Sequence, residues 1–199
     1  MERRLSRLEL TAEKHSLEPF RAVALGFKGR YLIRTGQTIA GIQHLRDSLE
    51  KLAARQYEIY VPELVSALAV SLAEHNSHAE AVAFLDKSIA FQVEANAALY
   101  LPALFLAKGL ALASCDKPDI RSAEVSFEKA MTFARQQSAL SFELRAGLEL
   151  ARIWIERGEV QSAHDLIGPI YGQFTEGFRT PDLVLAKEML SRKIHAAQI

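Results

Sequence analysis

The chain has 199 residues, of which 49% are hydrophobic and 24% are charged, a composition typical of folded globular proteins rather than of disordered chains. Its 24 basic and 24 acidic side chains cancel, so the overall charge gives no attraction to a phosphate backbone, and no direct nucleic-acid partner is expected. The single cysteine, Cys115, has no partner for an internal disulfide. Because the sequence shows neither a signal peptide nor an apolar run long enough to span a bilayer, we expect a cytoplasmic protein without membrane contact.

The first predicted helix covers residues 2–15 and places Leu5 and Leu8 on one face. Compared with the helix pairs that follow, it corresponds to a second helix whose first helix is missing, so residues 1–16 are interpreted as a half-repeat. A second helix without its partner leaves an apolar edge uncovered. Either the sequence begins inside a longer array, or self-association through the half-repeat covers this edge.

Four predicted helix pairs follow at intervals of about forty residues, over about 19–57, 61–97, 101–138 and 141–174. In each first helix a small residue precedes a large one by three positions, and in each second helix a small residue precedes a large one by four. The first helices carry Gly29 and Leu32, Ala69 and Leu72, Gly109 and Leu112, and Ala151 and Trp154; the second helices carry Gly41 and Leu45, Ala81 and Leu85, Ala123 and Phe127, and Ala163 and Ile167. A small residue opposite a large one lets two antiparallel helices approach closely, and its recurrence predicts an internal repeat.

The turn inside each unit carries Gly36, Asn76 or Gly158, and in the third unit it expands into the sequence SCDKPD. A last helix is predicted over residues 180–196, with Pro181 in its first turn, and is interpreted as a terminal cap. Leu183, Ala186, Leu190 and Ile194 share one face of this helix. No linker-like segment separates the units, so residues 1–199 are predicted to form one domain.

The spacing of small and large residues resembles the tetratricopeptide repeat superfamily, in a version with units of about forty residues. Three segments, HSLEPFRAVALGFKGRYLIRTGQ (15–37), SFELRAGLELARIW (141–154) and YGQFTEGFRTPDL (171–183), also resemble the C-terminal repeat region of large bacterial multidomain regulators. In that family a winged-helix DNA-binding domain or a class III nucleotide cyclase precedes a P-loop ATPase module and then the helical array. The resemblance implies an all-α fold: an α-α superhelix of about four helical hairpins, with the N-terminal half-repeat and the C-terminal capping helix.

The family's ATPase function is not carried over to this chain, because the sequence contains no GxxxxGK[ST] phosphate loop, and no winged-helix or cyclase segment is present. His75 and His78 form an HxxH pair, but no Cys, Asp or third His is spaced nearby, so a solvated turn is favoured over a metal site. Cys115 has no His close to it in the sequence. Without a nucleophile, base and orienting residue in a defined arrangement, we expect neither enzymatic activity nor a cofactor.

In tetratricopeptide arrays the first helices line a concave surface, and the resemblance therefore implies a partner-binding groove. Its expected residues are Arg30, Ile33, Arg34, Glu63, Ser66, Val70, Glu74, Leu106, Leu110, Arg145, Leu148, Arg152 and Glu156. Arginines at both ends and an apolar middle would suit an acidic peptide with an apolar centre. Alternatively, Arg–Glu pairs between neighbouring first helices only solvate the wall of the groove.

Two functions follow from these expectations. The leading hypothesis is a non-enzymatic scaffold that binds a protein or peptide partner and regulates an attached or separately encoded ATPase, cyclase or transcription factor. The alternative is a small-molecule sensor arm, in which a ligand binds near Leu106 and Leu110 and changes the curvature of the array.

Overall fold

The computed structural model describes residues 2–115 and 117–192. Within these residues the chain forms ten α-helices, a 3-10 turn at Ala98–Tyr100 and no strand. The helices are α1 (Glu2–Lys14), α2 (Glu18–Arg34), α3 (Thr38–Ala53), α4 (Val61–Glu74), α5 (His78–Glu94), α6 (Leu101–Ala113), α7 (Ile120–Gln136), α8 (Leu140–Glu156), α9 (Val160–Tyr171) and α10 (Pro181–Leu190). The predicted all-α fold class is therefore confirmed for the described part of the chain.

Each helix packs against the next one in the chain. The even-numbered helices make a second set of contacts, because α2 touches α4, α4 touches α6, α6 touches α8, and α8 touches α10. The even-numbered helices thus form a continuous row, and this row builds the surface on which the expected binding residues lie.

The small and large residues of the predicted repeat meet inside the helix pairs. Gly29 and Gly41 bring α2 and α3 so close that a Cβ atom on Gly29 would lie 2.7 Å from the carbonyl oxygen of Gly41. In the third pair the ring of Phe127 fills the space beside Gly109, where a Cβ atom would clash with it. The large residues of the second helices are 0% exposed in three units and 1% exposed at Ile167. The predicted close approach of the paired helices is confirmed at these positions.

The helix ends repeat as regularly as the helix interiors. Gly36, Asn76 and Gly158, predicted as turn residues, have φ angles of 86°, 61° and 85°, in the left-handed region. Each helix before them ends in a Schellman motif, as where Gln37 N donates to Leu32 O at 2.8 Å. The same motif closes the helices before the turns between units, where Ser16, Gln56, Asn96 and Ser138 have φ angles of 51° to 54°.

Helix α6 contributes to both hydrophobic cores of the molecule. Leu104 and Ala107 pack with α2 to α5 in the first core. Leu101 and Phe105 pack with α7 to α10 in the second core. Because one helix presents residues to both cores, the two halves of the helix row are joined through α6.

The two ends of the helix row differ in how far their apolar side chains are buried. In α1, Leu5 and Leu8 are half-buried and Leu10 is 66% exposed, and the interpretation of this helix as a half-repeat stays a prediction. At the other end α10 packs on α8 and α9 and buries Leu183 and Ala186. Helix α10 ends at Leu190; residues 193–196 of the predicted helix, including Ile194, lie outside the described residues.

Candidate binding groove

A groove of about 690 Å³ runs along the row of even-numbered helices, and we refer to it as the even-helix groove. Its wall is formed by one face each of α2, α4, α6 and α8, together with the 3-10 turn before α6. On α4 the lining residues are Glu63, Ser66, Ala67, Val70 and Ser71, and on α6 they are Ala103, Leu106, Ala107 and Leu110. This spacing of three and four positions is that of a single helix face, so each helix presents one stripe to the groove.

The middle of the even-helix groove is apolar. Val70 of α4 and Leu106 and Leu110 of α6 line it and remain half-buried, so their side chains still face open space. Leu148, which was also expected here, is only 3% exposed and packs in the core around α8. Leu148 therefore does not line the groove, because its side chain is buried in this core.

At the α2 end of the even-helix groove, one arginine is paired and one is not. Arg30 forms an ion pair with Glu63 of α4, and its guanidinium lies 5.5 Å from the centre of the Phe27 ring. Arg34, one helical turn further on, is exposed and makes no ion pair with the described residues. A smaller cavity of about 420 Å³ continues from here towards Leu5 of α1 and shares both arginines with the main groove.

At the α8 end, the arginines carry carboxylate partners. Arg145 Nε lies 2.7 Å from a carboxylate oxygen of Asp182, the second residue of α10. Arg152 lies 3.1 Å from carboxylate oxygens of both Glu149 and Glu156 on its own helix. Exposed pairs of this kind contribute little stability and exchange readily with other partners. Arg152 nevertheless has two carboxylate partners for its one positive charge.

Nine of the thirteen residues expected in the groove line it: Arg30, Ile33, Arg34, Glu63, Ser66, Val70, Leu106, Leu110 and Arg145. Glu74 and Arg152 line a neighbouring cavity of about 320 Å³, which shares Val70 and Leu110 with the main groove. Glu156 lines neither of these two cavities and instead pairs with Arg152. The pair between Arg30 and Glu63 joins neighbouring first helices, as the wall-solvation alternative expects.

Sequence reasoning missed the 3-10 turn, which brings Leu99 and Tyr100 to the rim of the even-helix groove. Leu99 is 70% exposed, and the Tyr100 hydroxyl donates a 2.6 Å hydrogen bond to Ile59 O. Burial, and to a lesser degree the nearby Glu63 carboxylate, raises the pKa of Tyr100 above its ordinary value, so the phenol stays a neutral donor. A usable signal existed, since Tyr60 precedes unit two at the position where Tyr100 precedes unit three.

A further cavity of about 520 Å³ lies between α3 and α5, with α4 as its floor, and we refer to it as the α3–α5 cavity. Its lining includes Val65 of α4 and Lys87 and Phe91 of α5. No site was predicted on this side of the molecule. The α3–α5 cavity is formed mainly by second helices, whereas the even-helix groove is formed mainly by first helices.

Of the residues that were considered for metal binding and catalysis, His75 and Cys115 make ordinary backbone contacts. His75 Nδ1 lies 3.0 Å from Ser71 O, while the two ring nitrogens of His78 are covered and have no hydrogen-bond partner among the described residues. The Cys115 thiol lies 3.0 Å from Lys117 O. No cluster of three or more metal-ligating side chains occurs within residues 2–115 and 117–192.

No protein-family model matches the chain, and no curated protein matches it at a significant level. The resemblance to the repeat region of multidomain regulators therefore stays a prediction that rests on the quoted segments. None of the helices in the described part of the chain combines the length and the apolar character needed to cross a bilayer.

Proposed function

We propose that the chain is an α-solenoid of the tetratricopeptide type whose even-helix groove binds an extended peptide segment of a partner protein. The observation that carries the proposal is the continuity of the groove. It shares Arg30 and Arg34 with the cavity on the α1 side, and Val70 and Leu110 with the cavity on the Arg152 side. An elongated path of this kind suits an extended chain, which contacts several helices in succession.

The chemistry of the groove supports a peptide with an apolar centre and an acidic side chain near one end. Val70, Leu106 and Leu110 give the middle its apolar surface. Arg34 can bind a carboxylate without first releasing another partner, because it makes no ion pair with the described residues. Arg145 would exchange Asp182 for a carboxylate of the partner, at the small net cost of an exposed pair.

The regulatory part of the proposal rests on the sequence resemblance alone. By that resemblance the array would act as a non-enzymatic arm that controls an ATPase, a cyclase or a transcription factor, attached to it or encoded separately. Peptide capture in the even-helix groove is the step that such control would require.

Panning a random twelve-residue peptide library on the immobilised chain tests the proposal. We expect selected peptides to combine an acidic residue with an apolar centre, and their affinity to fall at least tenfold in Arg34→Glu, since an opposed charge would become a repulsion. Arg121→Glu is the matched control, because Arg121 is exposed on α7 and lines none of the four cavities described above. Equal binding to both variants would contradict the assignment of the groove.

A second candidate function is a small-molecule sensor, and the size of the groove favours it. A volume of about 690 Å³ lies within the range of roughly 300–1,000 Å³ that is typical of small-molecule pockets. A ligand that binds near Leu106 and Leu110 would raise the melting temperature of the isolated chain without any protein partner. A thermal-shift screen in which no compound raises the melting temperature, together with successful peptide selection, would eliminate this candidate.

A further inference from the structure

The α3–α5 cavity has a filled counterpart in the next repeat unit, and this counterpart indicates its ligand. Three residues of the cavity matter most. Val65 of α4 forms part of its floor, and Lys87 and Phe91 of α5 stand along its wall. The Phe91 side chain is 47% exposed.

The corresponding region of α6 and α7 contains three side chains in close contact. The rings of Phe105 and Phe133 stack with their centres 5.6 Å apart and their planes only 6° from parallel. The ammonium group of Lys129 lies 5.4 Å from the centre of the Phe105 ring, in the range of a cation–π contact. Phe105 is 7% exposed, so its ring fills this region rather than covering the surface.

The repeat register relates the two regions residue by residue. Counted from the shared small and large positions of the repeat, the equivalent pairs are Val65 with Phe105, Lys87 with Lys129, and Phe91 with Phe133. Lys87 and Phe91 thus match their counterparts in type, whereas the central ring of Phe105 is replaced by the smaller side chain of Val65. The α3–α5 cavity exists where unit two has a valine and unit three has a phenylalanine.

We propose that the α3–α5 cavity binds an aromatic side chain of a partner peptide, in the place that the Phe105 ring occupies in the next unit. Phe91 would stack on the incoming ring, and the Lys87 ammonium would approach the ring face. A cavity of about 150 Å³ is enough to hold benzene. The volume of about 520 Å³ therefore leaves room for backbone atoms on either side of the ring.

The rim of the cavity favours a peptide over a free aromatic ion. Arg46 and Lys87 stand there beside Glu50, Glu58 and Glu80, and Arg46 is paired with Glu80 at 2.7 Å. The rim thus carries both hydrogen-bond donors and hydrogen-bond acceptors. Amide groups can use both, whereas a free anion or cation would meet side chains of its own sign. This site is separate from the even-helix groove and does not depend on the function proposed for that groove.

The test is an NMR titration of the full chain with N-acetyl-phenylalaninamide, using N-acetyl-leucinamide as the aliphatic probe. We expect saturable shifts of the Val65 and Phe91 amides, and an affinity for the aromatic probe at least fivefold higher than for the aliphatic one. Val65→Phe should abolish these shifts and raise the melting temperature by about 2–4 °C, since its ring would fill the cavity. Phe91→Ala, at an exposed position, should fold normally and weaken binding at least fivefold.

Val125→Phe is the matched control, because Val125 is 44% exposed on α7 and belongs to none of the cavities described above; it should bind the probe as the wild type does.

The proposal is overturned if Val65→Phe and Phe91→Ala bind the probe as tightly as the wild type, or if the shifts fall on Val70 and Leu106 instead. Equal affinity for indole would assign the cavity to a free aromatic molecule. A dimer in light scattering that Phe91→Ala disrupts would assign it to a second copy of the chain. Either result would overturn the peptide assignment.

Discussion

The two helices approach each other closely in both the first and the third helix pair, but different atoms make the contact. In the first pair, Gly29 and Gly41 let the backbones of α2 and α3 come into close contact, so that a Cβ atom on Gly29 would lie 2.7 Å from Gly41 O. In the third pair, Gly109 makes room for the whole ring of Phe127, which is 0% exposed. The repeat pattern therefore specifies how closely two helices approach, but not which groups make the contact. The two pairs should respond differently to the same kind of substitution.

The largest expected effect is at the ring contact. Phe127→Ala removes a fully buried ring and leaves a cavity between α6 and α7, which should lower the free energy of unfolding by about 3–5 kcal/mol. Urea denaturation followed by circular dichroism measures this loss. Phe127→Leu keeps most of the volume and should cost less than half as much. A loss below about 1 kcal/mol for Phe127→Ala would contradict the central role of this ring.

The backbone contact should be the next most sensitive. In Gly29→Ala the new Cβ atom would lie 2.7 Å from Gly41 O, and a backbone atom cannot move aside without separating the helices. We expect a loss of about 1–3 kcal/mol in urea denaturation. Gly147→Ala is the matched control, since its Cβ would lie 3.3 Å from the flexible ends of Ile167 and Ile170. Gly147→Ala should be close to neutral, and an equal loss in both variants would remove the distinction between the two kinds of contact.

Substitutions at the turns should have smaller effects of opposite sign. Gly36 has a φ of 86°, and a Cβ atom added there would meet no atom within 4 Å, so Gly36→Ala adds only backbone strain, about 1 kcal/mol. Gln56 has a φ of 53° without being glycine, so Gln56→Gly should stabilise the chain by a few tenths to about 1 kcal/mol. Melting temperatures of both variants measure the two changes. A rise for Gly36→Ala would contradict the left-handed turn.

The smallest effect should depend on pH. The Asp119 carboxylate accepts a hydrogen bond from Ser122 N at 3.0 Å and caps α7. Hydrogen bonds from the Ser122 side chain and backbone lower the pKa of Asp119 below its ordinary value. Its contribution to stability is therefore present at neutral pH and is lost as the pH falls through the lowered pKa.

Melting temperatures between pH 2 and pH 7 measure this contribution. Asp119→Ala should melt below the wild type at pH 7, and the difference should shrink in acid. Asp119→Asn keeps a capping oxygen without a titrating group, so its difference from Asp119→Ala should not change with pH. A wild-type advantage that grows in acid would contradict the cap.

The repeated close contacts were predictable because they depend on residue size, which the sequence states directly. Between the units, four residues with a left-handed backbone conformation were not predicted: Ser16, Gln56, Asn96 and Ser138. None of them is glycine, the residue that adopts this conformation most readily. Only their recurrence at the repeat interval would have shown them. At these positions the tertiary arrangement imposes a backbone conformation that local preference does not favour.

The helix faces that form the candidate site were predictable from the sequence, but the ion pairs within the site were not. The resemblance to tetratricopeptide arrays placed Arg34, Leu106 and Leu110 on one surface, and these residues also line one groove in the structure. It did not show that Arg152 is held by Glu149 and Glu156, although their spacing of three and four positions on one helix was available in the sequence. The α3–α5 cavity lies where the next unit has an aromatic ring, and this difference is seen only when the two units are compared.

The most direct measurement of the central proposal is a methyl NMR titration with a peptide selected by the chain. If the even-helix groove binds an extended peptide, the methyl groups of Val70, Leu106 and Leu110 should shift together. Those of Val125 and Val184, which are 44% and 41% exposed and do not line the groove, should stay unchanged. Shifts at Val125 or Val184 without any at Val70 and Leu106 would contradict the account, because the peptide would then bind elsewhere on the molecule.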